Sequence, residues 1–377
     1  SASDGSEKIA YVPQGVIPSL SKLTAPEYNE QHRYFVDGSP MTGDVDTGTG
    51  IQDPSDKDYN TAYAPDWRTL LVGTLGAGGK GYFVLDVTTP SAFAESEATS
   101  LVKLDRTRST ESGSAPDCTQ SSLTDGQKAA CNTAVAEDKD IGHITAQPVR
   151  DDNNSMRTTQ ITRMNNNRWA VVLGNGYNSA NQRPVLLIQY LGADPKGNAA
   201  GDKALLRIPT TGTVEVPPET GKGLANDNGL SAPRLVDLNG DGRVDIAYAG
   251  DNQGNLWKFD LLSTDDAQWK VAFDGSPLFT AKGGTQGSPD SRTLAQPITI
   301  APTVRANARY ATVGTGNDAV TMRVGGMMVA FGTGRNVTKA DENNRNVQTL
   351  YSVLDNTRYR INSNKRLEIH PGGGTCS

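Results

Sequence analysis

Apolar residues in this chain come in short runs rather than at helical spacing. Thr69-Leu-Leu-Val72 ends in Gly73, and Tyr82-Phe-Val-Leu85 follows. Ala170-Val-Val-Leu173 ends in Gly174, ahead of Val185-Leu-Leu-Ile188. Ile246-Ala-Tyr-Ala249 ends in Gly250, ahead of Asn255-Leu-Trp-Lys-Phe-Asp260. Met327-Met-Val-Ala-Phe331 ends in Gly332, ahead of Leu350-Tyr-Ser-Val-Leu-Asp355. Runs of this length bounded by turn residues predict strands. A small residue followed by proline precedes each unit, at Ser39-Pro40, Ala146-Gln-Pro148, Ser231-Ala-Pro233 and Ala295-Gln-Pro297.

The recurring order is small residue and proline, apolar strand closed by glycine, glycine-rich turn, strand. Such an internal repeat of a β-meander marks a β-propeller blade. The expected fold class is therefore all-β, one propeller domain over residues 1–377. At about 50 residues per blade the length allows seven, with insertions between the clear ones. Residues 89–145 lack strand alternation and are expected as the largest insertion, with a helix over Asp125–Ala136 capped by Thr124. Residues 275–293, rich in Gly, Ser and Pro, are expected as a further loop.

Composition sharpens this picture. Forty glycines and 36% hydrophobic residues suit many short strands better than a helical bundle. The net charge of −6, with no basic run, argues against nucleic acid as a partner. No stretch approaches the roughly 18 apolar residues of a membrane span. There is no signal peptide, and Ser1-Ala-Ser-Asp-Gly-Ser6 reads as the start of a fragment of a longer protein. Of three cysteines, Cys118 and Cys131 read as a local disulfide in an oxidising compartment, the alternative being two thiols. Cys376 is left over.

The sharpest chemical signal is Asp237-Leu-Asn239-Gly-Asp241-Gly-Arg243-Val-Asp245. Oxygen-bearing side chains recur at every second position, with glycines where the loop must turn. This is the first part of an EF-hand-type calcium loop, which takes side-chain ligands at its first, third, fifth and ninth positions and a carbonyl at its seventh. Those ligands are Asp237, Asn239, Asp241, the Arg243 carbonyl and Asp245. Three carboxylates and an amide suit a hard cation such as Ca2+. Tyr248 stands where the EF-hand carries its bidentate glutamate, and strands rather than helices flank the loop. The alternative is a metal-free turn whose Asp and Asn bond their own backbone.

Other motifs carry less. Gly76-Ala-Gly-Gly-Lys-Gly81 matches a dinucleotide-binding pattern, but a strand follows it, so no helix N-terminus is available for a pyrophosphate. His32, His143 and His370 lie far apart in sequence and lack ligand-spaced neighbours. Tyr248, Trp257 and Phe259 alternate with polar residues as core positions. Asp44 and Asp46 read as a turn, since Gly48 falls at the fifth position. No catalytic motif and no organic cofactor site emerges, and the chain is not expected to be an enzyme.

Six segments together resemble the C-terminal domain of the PilY-type proteins of bacterial type IV pili. They are Tyr34–Pro40, Leu70–Gly79, Gly174–Ser179, Val236–Gly242, Tyr248–Asp260 and Phe331–Gly334. The resemblance implies a modified, quinoprotein-like propeller with one calcium loop, its ligands falling on the five residues named above. It implies placement at the outer membrane, cell surface or pilus tip, with pilin or minor pilins as partners. It also implies a role in pilus biogenesis, in the extension–retraction balance behind twitching motility, and in attachment to host or abiotic surfaces. The Arg-Gly-Asp integrin motif of some members is absent, so integrin binding is not carried over. Two rivals are a quinoprotein dehydrogenase and a calcium-dependent lectin. Four tryptophans and no vicinal cysteines speak against the first.

Overall fold

The computed structural model describes residues 4–50, 63–108, 117–155, 157–192, 204–210, 228–313, 316, 320–323, 325–363 and 366–370. Cys376 lies outside them. The first sheet holds β1 (Met41–Asp46), β2 (Trp67–Thr74), β3 (Tyr82–Asp86) and β4 (Val102–Asp105) in that order. The second holds β5 (Ile161–Met164), β6 (Trp169–Gly174), β7 (Val185–Tyr190) and β8 (Leu205–Pro209). The third is built on β9 (Arg234–Val236), β11 (Ile246–Gly250), β12 (Asn255–Asp260) and β13 (Lys270–Val271). Between β9 and β11 the chain forms β10 (Arg243–Val244), which joins the second sheet beside β5.

The rest follows the same plan more loosely. β14 (Phe279–Thr280) pairs with β12, and β15 (Lys282–Gly283) with β16 (Leu294–Ala295). These strands interrupt the loop expected over 275–293. A last sheet places β20 (Met327–Gly332) between β17 (Thr303–Ala306) and β21 (Leu350–Asp355). Two hairpins complete it: β18 (Tyr310–Val313) with β19 (Val320–Arg323), and β22 (Tyr359–Ile361) with β23 (Leu367–Ile369). Among the described residues there are thus four sheets of three or more strands, and none closes on itself.

The sheets pack face to face in chain order, which explains why their strands read as unbroken apolar runs. In β6, Val171 and Leu173 face the first sheet, while Ala170 and Val172 face the third. β7 divides likewise, Val185 and Leu187 one way and Leu186 and Ile188 the other. In the third sheet Ala247, Trp257 and Phe259 meet the second, and Ile246, Tyr248 and Leu256 meet the last. A strand buried on both faces has no polar side to alternate with.

At Gly174 and Gly250 the glycine that closes the run has a packing reason, whereas a Cβ on Gly332 would meet nothing within 4 Å. A Cβ on Gly174 would lie 1.9 Å from the Ser231 carbonyl oxygen, and one on Gly250 would lie 2.2 Å from the Ile298 side chain. The first contact falls within the small-residue and proline segment that opens the next unit, the second on the residue immediately after it. Only glycine lets the backbones approach so closely.

Segment 89–145 contributes more than a loop. β4 is the fourth strand of the first sheet, its register shifted against β3 at Val84/Leu85. The helix spans Asp125–Asp138, with Thr124 and Gln127 forming a reciprocal capping box. Cys118 and Cys131 are joined, their Cα atoms 5.5 Å apart. Glu137 and Asp138 pair with Arg106 and Arg108 at 2.6 Å, pinning the helix end beside β4.

Candidate metal loop

The Asp237–Gly242 segment forms the tip between β9 and β11, which pair antiparallel with Val236 opposite Ile246. On leaving the tip, Arg243 and Val244 pair in parallel with Arg163 and Met164 of β5. The loop is therefore closed by its own sheet and hung on the neighbouring one.

Asp237 organises the turn. Its Oδ1 accepts from the amides of Asn239 (3.2 Å), Gly240 (2.7 Å) and Asp241 (3.3 Å), and its Oδ2 from Gly242 (2.7 Å). Asn239 Oδ1 accepts from the Asp241 amide, and Asp241 Oδ1 from the Arg243 amide, both at 3.0 Å. Gly240 and Gly242 take φ of 79° and 82°, where a side chain would be strained. Asx-type turns at alternate residues thus curl the segment around its own oxygens.

Asp245 is different, being 1% exposed. Its Oδ2 accepts from the Leu238 amide at 2.8 Å, and its Oδ1 from Asn165 Nδ2 at 3.0 Å. Burial pushes its carboxyl above the usual range against both bonds, and the charges of Asp241 and Asp237 push the same way.

The structure therefore gathers Asp237, Asn239, Asp241 and Asp245 on one loop, with the Arg243 carbonyl in the strand that leaves it. It does not aim the carboxylates at one centre. Among the described residues no three His, Cys, Asp or Glu side chains meet at metal-ligand distance. The donor set itself, oxygen throughout, fits a hard cation. Sequence reasoning treated Arg243 only as a carbonyl. Its guanidinium also lies 3.8 Å from Asp241 Oδ2, largely buried, and places a positive charge beside the loop.

The set-aside glycine and histidine motifs fall where the sequence put them. Gly76–Gly81 lies in the β2–β3 hairpin, a single 3-10 turn with no helix after it. His143 is buried against the Gly76 carbonyl and stacks on Tyr177, while His32 packs on Tyr28 and Tyr34. Asp44 and Asp46 lie in β1 and not in the expected turn: Asp44 accepts from Thr69 Oγ1 directly across on β2, and Asp46, the last residue of the strand, accepts from the Gly48 and Asp66 amides. A cavity of about 630 Å³ opens where Ala146 and Gln147 meet Thr299, Ile300 and Tyr34. No sequence motif announced it, because its walls come from three separate units.

Successive antiparallel meanders stacked face to face in chain order are how the blades of a β-propeller are arranged. Residues 134–368, more than half of the chain, match the family model described as the PilY1 beta-propeller domain. The chain belongs to that family. It is 32% identical over 372 residues to the type IV pilus biogenesis factor PilY1 of Pseudomonas aeruginosa strain PAO1, covering 93% of this chain and 23% of that protein. A PilY1 homolog of Xylella fastidiosa strain Temecula1 is 30% identical over 357 residues, covering 93% of this chain and 18% of its own. The crystal structure of the Pseudomonas aeruginosa PilY1 C-terminal domain is similar with a TM-score of 0.54 and 28% identity. That match covers 94% of this chain and 54% of the other. The chain thus spans less than a quarter of the length of these two curated relatives.

Proposed function

We propose that this chain is the calcium-binding propeller segment of a type IV pilus biogenesis factor carried at the cell surface, outer membrane or pilus tip. In this reading it works by binding rather than by catalysis. Its partners are pilin or minor pilins, and through attachment a host or abiotic surface. In the same reading its successive sheets belong to a seven-bladed, quinoprotein-like ring. Family membership supports the pilus role, since the relatives are named type IV pilus biogenesis factors.

The observation that carries the calcium part is the loop hung between two sheets. Asp237, Asn239, Asp241, Asp245 and the Arg243 carbonyl would hold the ion. Bound Ca2+ would offset the repulsion among three carboxylates and tie β9, β10 and β11 together. Occupancy would then set the stiffness of the contact between the second and third sheets, a means of shifting the balance of extension and retraction.

The test is complementation in a piliated bacterium lacking its own such factor. The full-length protein bearing this segment should restore surface pili and twitching. The Asp241→Ala version, which leaves the buried Asp245 in place, should accumulate to the same level yet alter twitching in calcium-containing medium. Failure of the wild type to restore pili would overturn the pilus role. Identical twitching by wild type and variant would overturn the calcium role alone.

A further inference from the structure

The turn between β5 and β6 reaches into the third sheet. Asn165, in this turn, is 5% exposed. Its Nδ2 lies 2.9 Å from the Val244 carbonyl, 3.0 Å from the Leu261 carbonyl and 3.0 Å from Asp245 Oδ1. An amide nitrogen carries two protons, so three acceptors share them: the Val244 carbonyl of β10, the Asp245 carboxylate that follows it, and the Leu261 carbonyl just past β12 of the third sheet. The Leu261 amide in turn donates to the Asp245 carbonyl at 3.0 Å, closing a small buried network. Asp245 is held by two side-chain contacts, one from the loop at Leu238 and one from the neighbouring sheet at Asn165. The next residue of the turn, Asn166, bonds Tyr190 and Asp266 instead, away from the loop.

We propose that Asn165 is a positioning residue for the loop's last ligand, so that the affinity of the loop for a divalent cation is set partly by the adjoining sheet. The inference rests on the calcium reading above. A buried carboxylate keeps its orientation only while its donors are in place. Without the amide, Asp245 Oδ1 loses its only side-chain donor among those given by the structure and can rotate away. Residues that orient a metal ligand typically cost 10–100-fold in metal affinity when replaced. A loosened Asp245 should also let water take its place on the ion.

The experiment uses calcium titration by calorimetry, with terbium luminescence decay in light and heavy water to count bound waters. Wild type, Asn165→Ala, Asn165→Asp and Asn166→Ala are compared, each first melted in chelator. Asn165→Ala and Asn165→Asp should bind calcium at least about tenfold more weakly, with an added water on the bound terbium. Asn166→Ala should match wild type in affinity and hydration, even if it melts earlier in chelator. Asn165→Asp keeps the side chain's shape while replacing the donor with an acceptor, and melting in chelator selects the Asn165 variant that is folded for titration. Wild-type affinity and hydration in a folded Asn165 variant would overturn the positioning role. So would equal weakening by Asn166→Ala, which would trace the effect to docking of the whole turn. If wild type itself binds neither calcium nor terbium, the calcium reading fails and this inference falls with it.

Discussion

Lys258 Nζ lies 2.5 Å from Asp355 Oδ2, with the two side chains only 2% and 1% exposed. The pair joins β12 of the third sheet to the end of β21 in the last, across 97 residues of sequence. Tyr248 Oη donates to the same carboxylate oxygen, and Thr357 donates to the other through both its amide and its hydroxyl. Burial works against this carboxylate, but the Lys258 charge and the donated bonds outweigh it and hold its pKa below the usual range. Removing one partner of such a buried pair leaves the other charge uncompensated. Lys258→Met should therefore destabilise the chain by about 3 to 5 kcal/mol in urea unfolding, and Lys258→Met/Asp355→Leu should recover much of that. A single variant within about 1 kcal/mol of wild type would show that the pair does not hold the sheets together.

Acid sensitivity should centre on Asp140. This carboxylate is fully buried and accepts from Arg183, Arg207 and Asn181. Burial opposes its charge, yet the bonds from Arg183 and Asn181 and the charges of Arg183 and Arg207 hold its pKa below the ordinary value. A depressed folded pKa contributes stability above the unfolded value of about 3.9, lost as pH falls through the folded one. Urea midpoints should drop below about pH 4 in the wild type. Asp140→Asn should already be lower by about 3 kcal/mol at neutral pH and should show a shallower acid limb. Asp251 acts in the opposite sense, since burial outweighs its donors and raises its pKa, so protonation there relieves the fold. An unchanged acid limb in Asp140→Asn would place the sensitivity elsewhere.

The Cys118–Cys131 bridge should be a modest staple. It closes a short loop, and the helix it holds is also fixed by its capping box and by Arg106 and Arg108. Cys118→Ser/Cys131→Ser should cost at most about 3 kcal/mol. Its first effect should be faster amide exchange at the helix start, read by mass spectrometry, while the second and third sheets stay protected. Loss of protection throughout would mean that the bridge supports the whole domain.

Gly174→Ala should separate the second and third sheets. Its Cβ would sit inside contact distance of the Ser231 and Leu230 carbonyls, both backbone atoms that cannot swing aside. Overpacking of this kind costs about 1 to 3 kcal/mol. Gly126→Ala, in the open on the helix, should instead be neutral or slightly stabilising. Equal melting of the two variants would contradict the close approach.

The legible parts of the fold were those that local sequence dictates. Strands β3, β11, β12, β20 and β21 matched their apolar runs to the residue. The helix ran two residues past Ala136 because its last turn is held by pairs with Arg106 and Arg108, invisible at that distance in sequence. β4 was missed for a similar reason. Val-Lys-Leu-Asp105 is only half-buried and gains its place from pairing with β3. At the loop, the spacing revealed the oxygens but not their hold on the backbone. Asn165 and the Arg243 guanidinium stayed hidden, since one comes from another sheet and the other was counted only for its carbonyl. Lys258 was legible only as one of the polar residues that alternate with Trp257 and Phe259, and its burial is explained by Asp355, which the fold brings to it.

The most direct measurement is thermal and urea unfolding of wild type and Asp241→Ala, each in saturating calcium, magnesium and chelator. Asp241 is a proposed ligand and is exposed, so its removal leaves the hydrogen bonds to the buried Asp245 carboxylate in place. At about 100 times the dissociation constant, calcium should stabilise the wild type by about 2.7 kcal/mol if unfolding is two-state. Magnesium should do much less, since it demands a tighter octahedron and gives up water reluctantly. Asp241→Ala should match the wild type in chelator and lose most of the calcium gain. Equal gains in both proteins would put the metal elsewhere, and no gain in either would contradict a calcium loop at Asp237–Asp245.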